Sequence, residues 1–187
     1  MIKLVDNDKL YELNLVDNDI LYLKYSGRAK AMYDAIPAQL NKNAMRYQVG
    51  KVIPDERAER IINVVKDMED SMTANVAFRS DDPNVGLALT KNLEYFKMYT
   101  SDTGLFVTLA FKDSDITENV IYEKLLNDKL SANLGYVYEN MIAQMLVASG
   151  KDLFYHTIPY ADGKKYYEID FIIKEKHKIS PVEVKSS

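Results

Sequence analysis

The sequence predicts a mixed α/β protein, α+β overall, in which a mainly helical region is followed by a region rich in strands. Apolar residues recur at helical spacing in the first part, as in "ERAERIINVVKDMEDSM". Apolar and polar residues alternate in short runs towards the end, as in "YYEIDFII", which is typical of half-buried strands. The change from the first pattern to the second divides the chain near Asn127.

Composition limits the possible classes of protein. The chain has 187 residues, of which 47% are hydrophobic, so a large core can form. It has no cysteine, which excludes disulfides, thiolate zinc sites and a cysteine nucleophile. No apolar run reaches the ~20 residues that span a bilayer, and the first residues lack the apolar centre of a signal peptide. We therefore expect a cytoplasmic protein without membrane contact.

Residues 1–27 contain a near-repeat, Leu-Val-Asp-Asn-Asp, which occurs twice. Asp-Asn-Asp between apolar pairs predicts a solvated turn that is used twice. Its carboxylates could bind calcium, but the glycine and the closing glutamate of an EF-hand loop are absent. The sequence favours the turn over the metal site.

Residues 28–125 are predicted to form a winged-helix-like unit. Helical segments with a break at Pro37 and a start at Pro54-Asp55 come first. A strand, a turn rich in Asp, Pro and Asn, and a second strand follow, and then Ser101 or Asp102 caps another helix. Helix, helix, strand, turn, strand is the element order of winged-helix domains, although many small α+β domains share it.

The same region contains the best local group of basic side chains. The net charge of the chain is -4, so nucleic acid would have to bind at a local basic patch. If that region binds DNA, the expected phosphate contacts are made by Arg28, Lys30, Lys42, Arg46 and Lys51. With so few contacts, we expect DNA affinity to be weak and strongly dependent on salt.

Residues 126–187 are predicted to form a helix that ends at Gly150, followed by three strands. Side chains two apart on a strand share a face, so Asp170 shares a face with Ile172, and Glu183 shares one with Lys185. If the last two strands pair around "KEKHK", Asp170 can lie beside Glu183.

Two neighbouring carboxylates repel each other unless a cation lies between them, and magnesium prefers oxygen ligands of this kind. Lys185 would then lie near the attacking water or the developing phosphate charge. Glu139 lies at the edge of the apolar stripe of the preceding helix and could join the same site. The arrangement suits metal-dependent phosphodiester hydrolysis.

These residues resemble a known signature. Glu139, Asp170 and Glu183-Val184-Lys185 look like the Glu…Asp…Glu-x-Lys pattern of PD-(D/E)xK, or restriction-endonuclease-like, nucleases. "GYVYENMIAQML", "EIDFII" and "PVEVKSS" more closely resemble the C-terminal domain of prokaryotic AAA-type ATPases that carry a nuclease-like domain of unknown function.

The resemblance implies an α/β/α core over residues 126–187 that is truncated at its C-terminal end. It also implies catalytic roles for Glu139, Asp170, Glu183 and Lys185, with Mg²⁺ or Mn²⁺ held by Asp170, Glu183 and the main-chain carbonyl of Val184. The chain has no Gly-x-x-x-x-Gly-Lys-Ser/Thr motif, so ATP would bind only through an ATPase domain that is missing from it. That domain would be a partner.

Three functions fit this sequence. The first is a magnesium-dependent nuclease-like domain. The second is a non-catalytic module that binds DNA or docks a protein through the winged-helix-like region. The third is a structural segment that transmits the motion of the missing ATPase domain. The sequence indicates no oligomeric state.

Overall fold

The computed structural model describes residues 27–42, 44–112, 123, 135–160, 165–175 and 178–185. Within these ranges the chain is an α+β protein, as predicted. Its helices pack on one mixed sheet. The Leu-Val-Asp-Asn-Asp repeat and most of the helix predicted after Ile116 lie outside the described residues.

The described helices follow the predicted order, with the addition of α3, which the sequence did not predict. They are α1 (residues 27–34), α2 (Ile36–Leu40), α3 (Val49–Val52), α4 (Ala58–Asp70), α5 (Thr103–Phe111) and α6 (Gly135–Ala148). Pro37 lies in the first turn of α2, where a missing N–H is tolerated. The Asp102 carboxylate caps α5 by accepting a 2.8 Å hydrogen bond from the Leu105 amide. α4 begins later than predicted, because Asp55 has a φ of 65° and is not helical.

The five strands form one sheet in the order β2-β1-β3-β4-β5. They are β1 (Ala74–Ser80), β2 (Lys91–Thr100), β3 (Phe154–Pro159), β4 (Tyr166–Glu175) and β5 (Lys178–Val182). Neighbouring strands are antiparallel except β1 and β3, which are parallel.

The parallel pairing joins the two regions that the sequence suggested. Phe78 and Arg79 of β1 pair with Phe154 and Tyr155 of β3. The ranges 28–125 and 126–187 therefore contribute strands to the same sheet, and β1 and β2 are not a free-standing wing. Sequence patterns did not anticipate this contact, because β1 and β3 are far apart along the chain. The division into two domains stays a prediction.

Both faces of β2 are covered at its C-terminal end, where the consecutive residues Phe96–Thr100 are all buried. On one face Phe96 stacks against Tyr47, with ring centroids 5.9 Å apart. On the other face Lys97 and Tyr99 bond to Glu139 of α6.

Among the described residues, none of the helices has the length and apolar character needed to cross a membrane.

The buried side of α6 differs from the apolar stripe that the sequence predicts. Helical spacing predicts a stripe that consists of Leu134, Val137, Tyr138, Met141, Met145 and Ala148. Of these, Met141 and Met145 are exposed. The buried residues of α6 are Val137, Glu139, Asn140 and Ala143. Asn140 accepts a 2.8 Å hydrogen bond from the Thr100 amide, so two polar side chains of this helix face the sheet. Polar bonding to β2 sets the orientation of α6.

Candidate functional site

An irregular pairing between β3 and β4 assembles the candidate site. Phe154 pairs with Ile172 and His156 pairs with Ile169, so two steps along β3 match three along β4. The extra residue changes the face to which side chains of β4 point. Phe171 contacts Tyr99 on the face covered by α6, with ring centroids 5.4 Å apart.

The predicted alternation along β4 is therefore wrong. Strict alternation put Ile172 on the face of Asp170 and Phe171 on the face of Ile169. Instead Ile169 and Ile172 belong to a second hydrophobic cluster with Leu87 and Phe154. The bulge falls between Ile169 and Ile172 and interrupts the two-residue period.

A buried lysine lies at the centre of the charged side chains on the α6 face. The Nζ of Lys97 donates to Glu139 Oε1 at 3.0 Å and to Glu168 Oε1 at 2.5 Å. Tyr99 donates its hydroxyl to the same Glu139 oxygen at 2.7 Å. Lys97 is only 5% exposed, so solvent contributes little to this charge balance. We call Lys97, Tyr99, Glu139 and Glu168 the lysine cluster.

Burial and charge shift the pKa values of the cluster. Burial lowers the pKa of Lys97, but the charges of Glu139 and Glu168 outweigh it and leave that pKa above its ordinary value. Burial raises the pKa of Glu168, against the opposing effect of Lys97. Burial also raises the pKa of the Tyr99 hydroxyl well above its ordinary value. Lys97 therefore stays protonated at neutral pH and serves as a permanent cation.

Asp170 lies beside this cluster and contacts the segment that follows β5. Its Oδ2 accepts a 2.8 Å hydrogen bond from the Val184 amide. The last pair of β4 with β5 joins Phe171 and Val182, so Asp170 and Glu183 come next in that register. Burial raises the pKa of Asp170, the Val184 N–H lowers it, and the negative charge of Glu139 raises it.

The remaining predicted site residues lie further out. Val182 and Val184 pack against the main core, whereas Glu183 and Lys185 are exposed. The charge of Glu183 still raises the pKa of Asp170, so the two carboxylates interact. Within the part of the chain that the structure describes, no group of three or more His, Cys, Asp or Glu side chains is arranged to hold a metal ion.

Sequence reasoning missed Lys97, Tyr99 and Glu168. Glu168 had a signal, because it lies two residues before Asp170 on the same strand. The sequence also contains a weak indication that Lys97 is unusual, because Lys97 interrupts the apolar run from Phe96 to Tyr99. A charged residue within a buried strand requires a partner, and that requirement indicates an acidic neighbour without identifying it.

The predicted basic group is only partly available to a ligand. Arg28 pairs with Glu56, and Lys30 pairs with Asp34 at 2.6 Å. The other three members, Lys42, Arg46 and Lys51, are exposed. The guanidinium of Arg46 lies 4.4 Å from the ring centroid of Tyr95.

One region of the chain matches a known protein family. Residues 134–187 match the family model of a domain of unknown function, DUF4143. This domain is often found in ATPase-associated proteins. The match covers α6, the three last strands, Asp170, Glu183 and Lys185. It assigns no activity, so the likeness to PD-(D/E)xK nucleases stays a prediction.

No curated protein and no solved structure matches the chain.

Proposed function

We propose that the chain is a non-catalytic docking domain of an ATPase-associated protein, built on a nuclease-like arrangement whose buried carboxylates are neutralised by a lysine. The observation that supports this is the position of the Lys97 Nζ, within 3.0 Å of Glu139 and 2.5 Å of Glu168. In a metal-dependent nuclease the carboxylates of the site need a divalent cation to offset their repulsion. Here the ammonium group of Lys97 already supplies positive charge to Glu139, the carboxylate that α6 adds to this arrangement, and to the neighbouring Glu168.

The competition between a lysine and a metal is electrostatic. A divalent ion that bound Glu139 would approach a protonated ammonium only 3.0 Å from the same carboxylate. Moving Lys97 aside would leave Glu139, which is also buried, without its cation. Both effects weaken metal binding at Glu139 and favour a structural role for the lysine cluster.

A second candidate function is Mg²⁺- or Mn²⁺-dependent phosphodiester hydrolysis at Asp170 and Glu183. The pKa of Asp170 is raised first by burial and then by the negative charges of Glu139 and Glu183. This favours hydrolysis, because a cation would stabilise a carboxylate that is half-buried beside other carboxylates. In this case Val184 would add its carbonyl as a ligand and the exposed Lys185 would orient the water. DNA would be the substrate, held by Lys42, Arg46 and Lys51, with weak and salt-dependent affinity.

A manganese titration by calorimetry, combined with incubation of the protein with supercoiled DNA in Mg²⁺ or Mn²⁺, distinguishes the two candidates. For the 187-residue chain we expect neither saturable binding nor cleavage. Lys97→Ala removes the cation, so Mn²⁺ should raise the melting temperature of this variant and leave that of the wild type unchanged. Lys66→Ala, at an exposed position of α4, is the matched control.

Metal binding or cleavage by the wild type that is lost in Asp170→Asn and in Glu183→Gln would overturn the proposal in favour of hydrolysis. If Lys97→Ala fails to fold, the wild-type titration and the two carboxamide variants still decide between the candidates.

A further inference from the structure

A groove lies on the other side of the sheet from the lysine cluster and has a volume of about 770 Å³. Phe154 and Leu87, both from the second hydrophobic cluster, contribute to its lining. The turn between β1 and β2 adds Val85 and Leu89, which are 61% and 82% exposed. Ile179 of β5 adds a fifth apolar side chain that is 40% exposed. Large apolar side chains that are this exposed, and that lie together, mark an interaction site.

Three lysines line the same groove. Lys151 precedes β3, Lys174 lies near the end of β4, and Lys178 begins β5. Lys151 Nζ lies 3.5 Å from the carbonyl oxygen of Lys174, which brings two of them to the same end of the sheet. Among the described residues none of the three forms an ion pair, and Asp152 is the acidic side chain in the lining. The groove is therefore locally positive in a chain whose net charge is -4.

We propose that this groove binds a partner peptide in which apolar side chains are flanked by Asp or Glu. The apolar side chains would cover Val85, Leu89 and Ile179, and the carboxylates would pair with the exposed ammonium groups of Lys174 and Lys178. The inference rests on the proposed docking function, which it sharpens by naming the surface and the chemistry of the partner. The volume exceeds what one small anion fills and suits several side chains.

The affinity of such a peptide has two separable parts. Burial of Leu89 and its apolar neighbours stabilises the complex in proportion to the area removed from water. The lysines add attraction that depends on salt and that discriminates against basic peptides. Loss of either part alone should weaken binding without abolishing the fold, because Leu89, Lys174 and Lys178 are all exposed.

Fluorescence anisotropy of the 187-residue chain with a labelled peptide of repeated Leu-Leu-Asp-Asp units tests the proposal. We expect saturable binding that falls about tenfold in the double variant Lys174→Glu/Lys178→Glu, since each exposed ion pair contributes a modest share. Leu89→Ser should weaken binding about threefold through its lost apolar contact. Arg60→Glu/Lys66→Glu, at two exposed positions of α4 outside the groove, makes the same change in net charge and should keep the wild-type affinity.

Peptides of Ser-Ser-Asp-Asp and Leu-Leu-Lys-Lys units complete the test, and both should bind far more weakly. An equal loss in the two double variants, or equal affinity for the serine peptide, would overturn the proposal. Absence of peptide binding, or binding of phosphatidylserine vesicles in its place, would overturn it as well. Peptide binding that the groove variants leave intact would refute this groove while keeping the docking function. The manganese titration tests that function's non-catalytic character independently.

Discussion

Lysines on the two faces of the sheet have opposite environments. On the α6 face Lys97 is 5% exposed and bonds to two glutamates. On the other face Lys174 and Lys178 are exposed, and neither forms an ion pair with a described residue. A lysine therefore stabilises the fold on the α6 face, whereas the two lysines of the groove are available to bind a partner.

The difference lies in desolvation. A charge that has lost its hydration must find compensation inside the protein, so every member of the lysine cluster depends on the others. An exposed lysine keeps its water and interacts weakly with its surroundings. Stability measurements should separate the two faces, whereas binding measurements should respond to the groove.

The largest expected effect is that of Lys97→Met. It leaves Glu139 and Glu168 without their cation, and breaking a buried pair of this kind costs about 3–5 kcal/mol. Urea denaturation at neutral pH measures the loss, with Lys174→Met as the exposed control that should change stability by less than ~0.5 kcal/mol. Similar losses in both variants would remove the distinction between the faces.

A smaller effect compares two buried tyrosine hydroxyls. Tyr99 donates to the charged Glu139, and Tyr47 donates to the neutral Met32 carbonyl, both at 2.7 Å. A hydrogen bond to a charged acceptor is the stronger, so Tyr99→Phe should cost about 1.5–3 kcal/mol and Tyr47→Phe about 0.5–1.5 kcal/mol. The same denaturation experiment measures both. A larger loss for Tyr47→Phe would show that the charge on Glu139 adds nothing.

The smallest effect concerns the dependence of stability on pH at Asp170. Its pKa in the folded chain lies above the ordinary value of 3.8, so between these two values the folded state binds more protons than the unfolded state. Stability from this group is thus greatest at low pH and falls as pH rises through the raised pKa. Asp170→Asn cannot ionise and should lose this part of the dependence.

Denaturation midpoints measured from about pH 4 to pH 7 follow this change. The variant should gain stability relative to the wild type as pH rises, and the exposed Glu183→Gln should not reproduce that trend. A constant difference between Asp170→Asn and the wild type over the range would contradict the expected cause.

Local patterns anticipated much of the secondary structure. The alternation in "YYEIDFII" predicted β4, and Asp102 was one of two predicted caps for α5. Each of these predictions rests on neighbours within a few residues, and such signals are strong in a single sequence.

The sequence by itself determined the α+β class, most of the described helices and strands, and the presence of carboxylates in the last region. Only the tertiary structure decided that β1 pairs with β3 and that a bulge shifts Phe171 to the face of Tyr99. It also decided that Lys97, from the predicted winged-helix-like region, completes the charge balance of Glu139 and Glu168. The physical reason is that hydrophobic periodicity and secondary-structure propensity depend on residues that are close together along the chain. A buried charge is balanced in space, by residues that the chain brings together only when it folds.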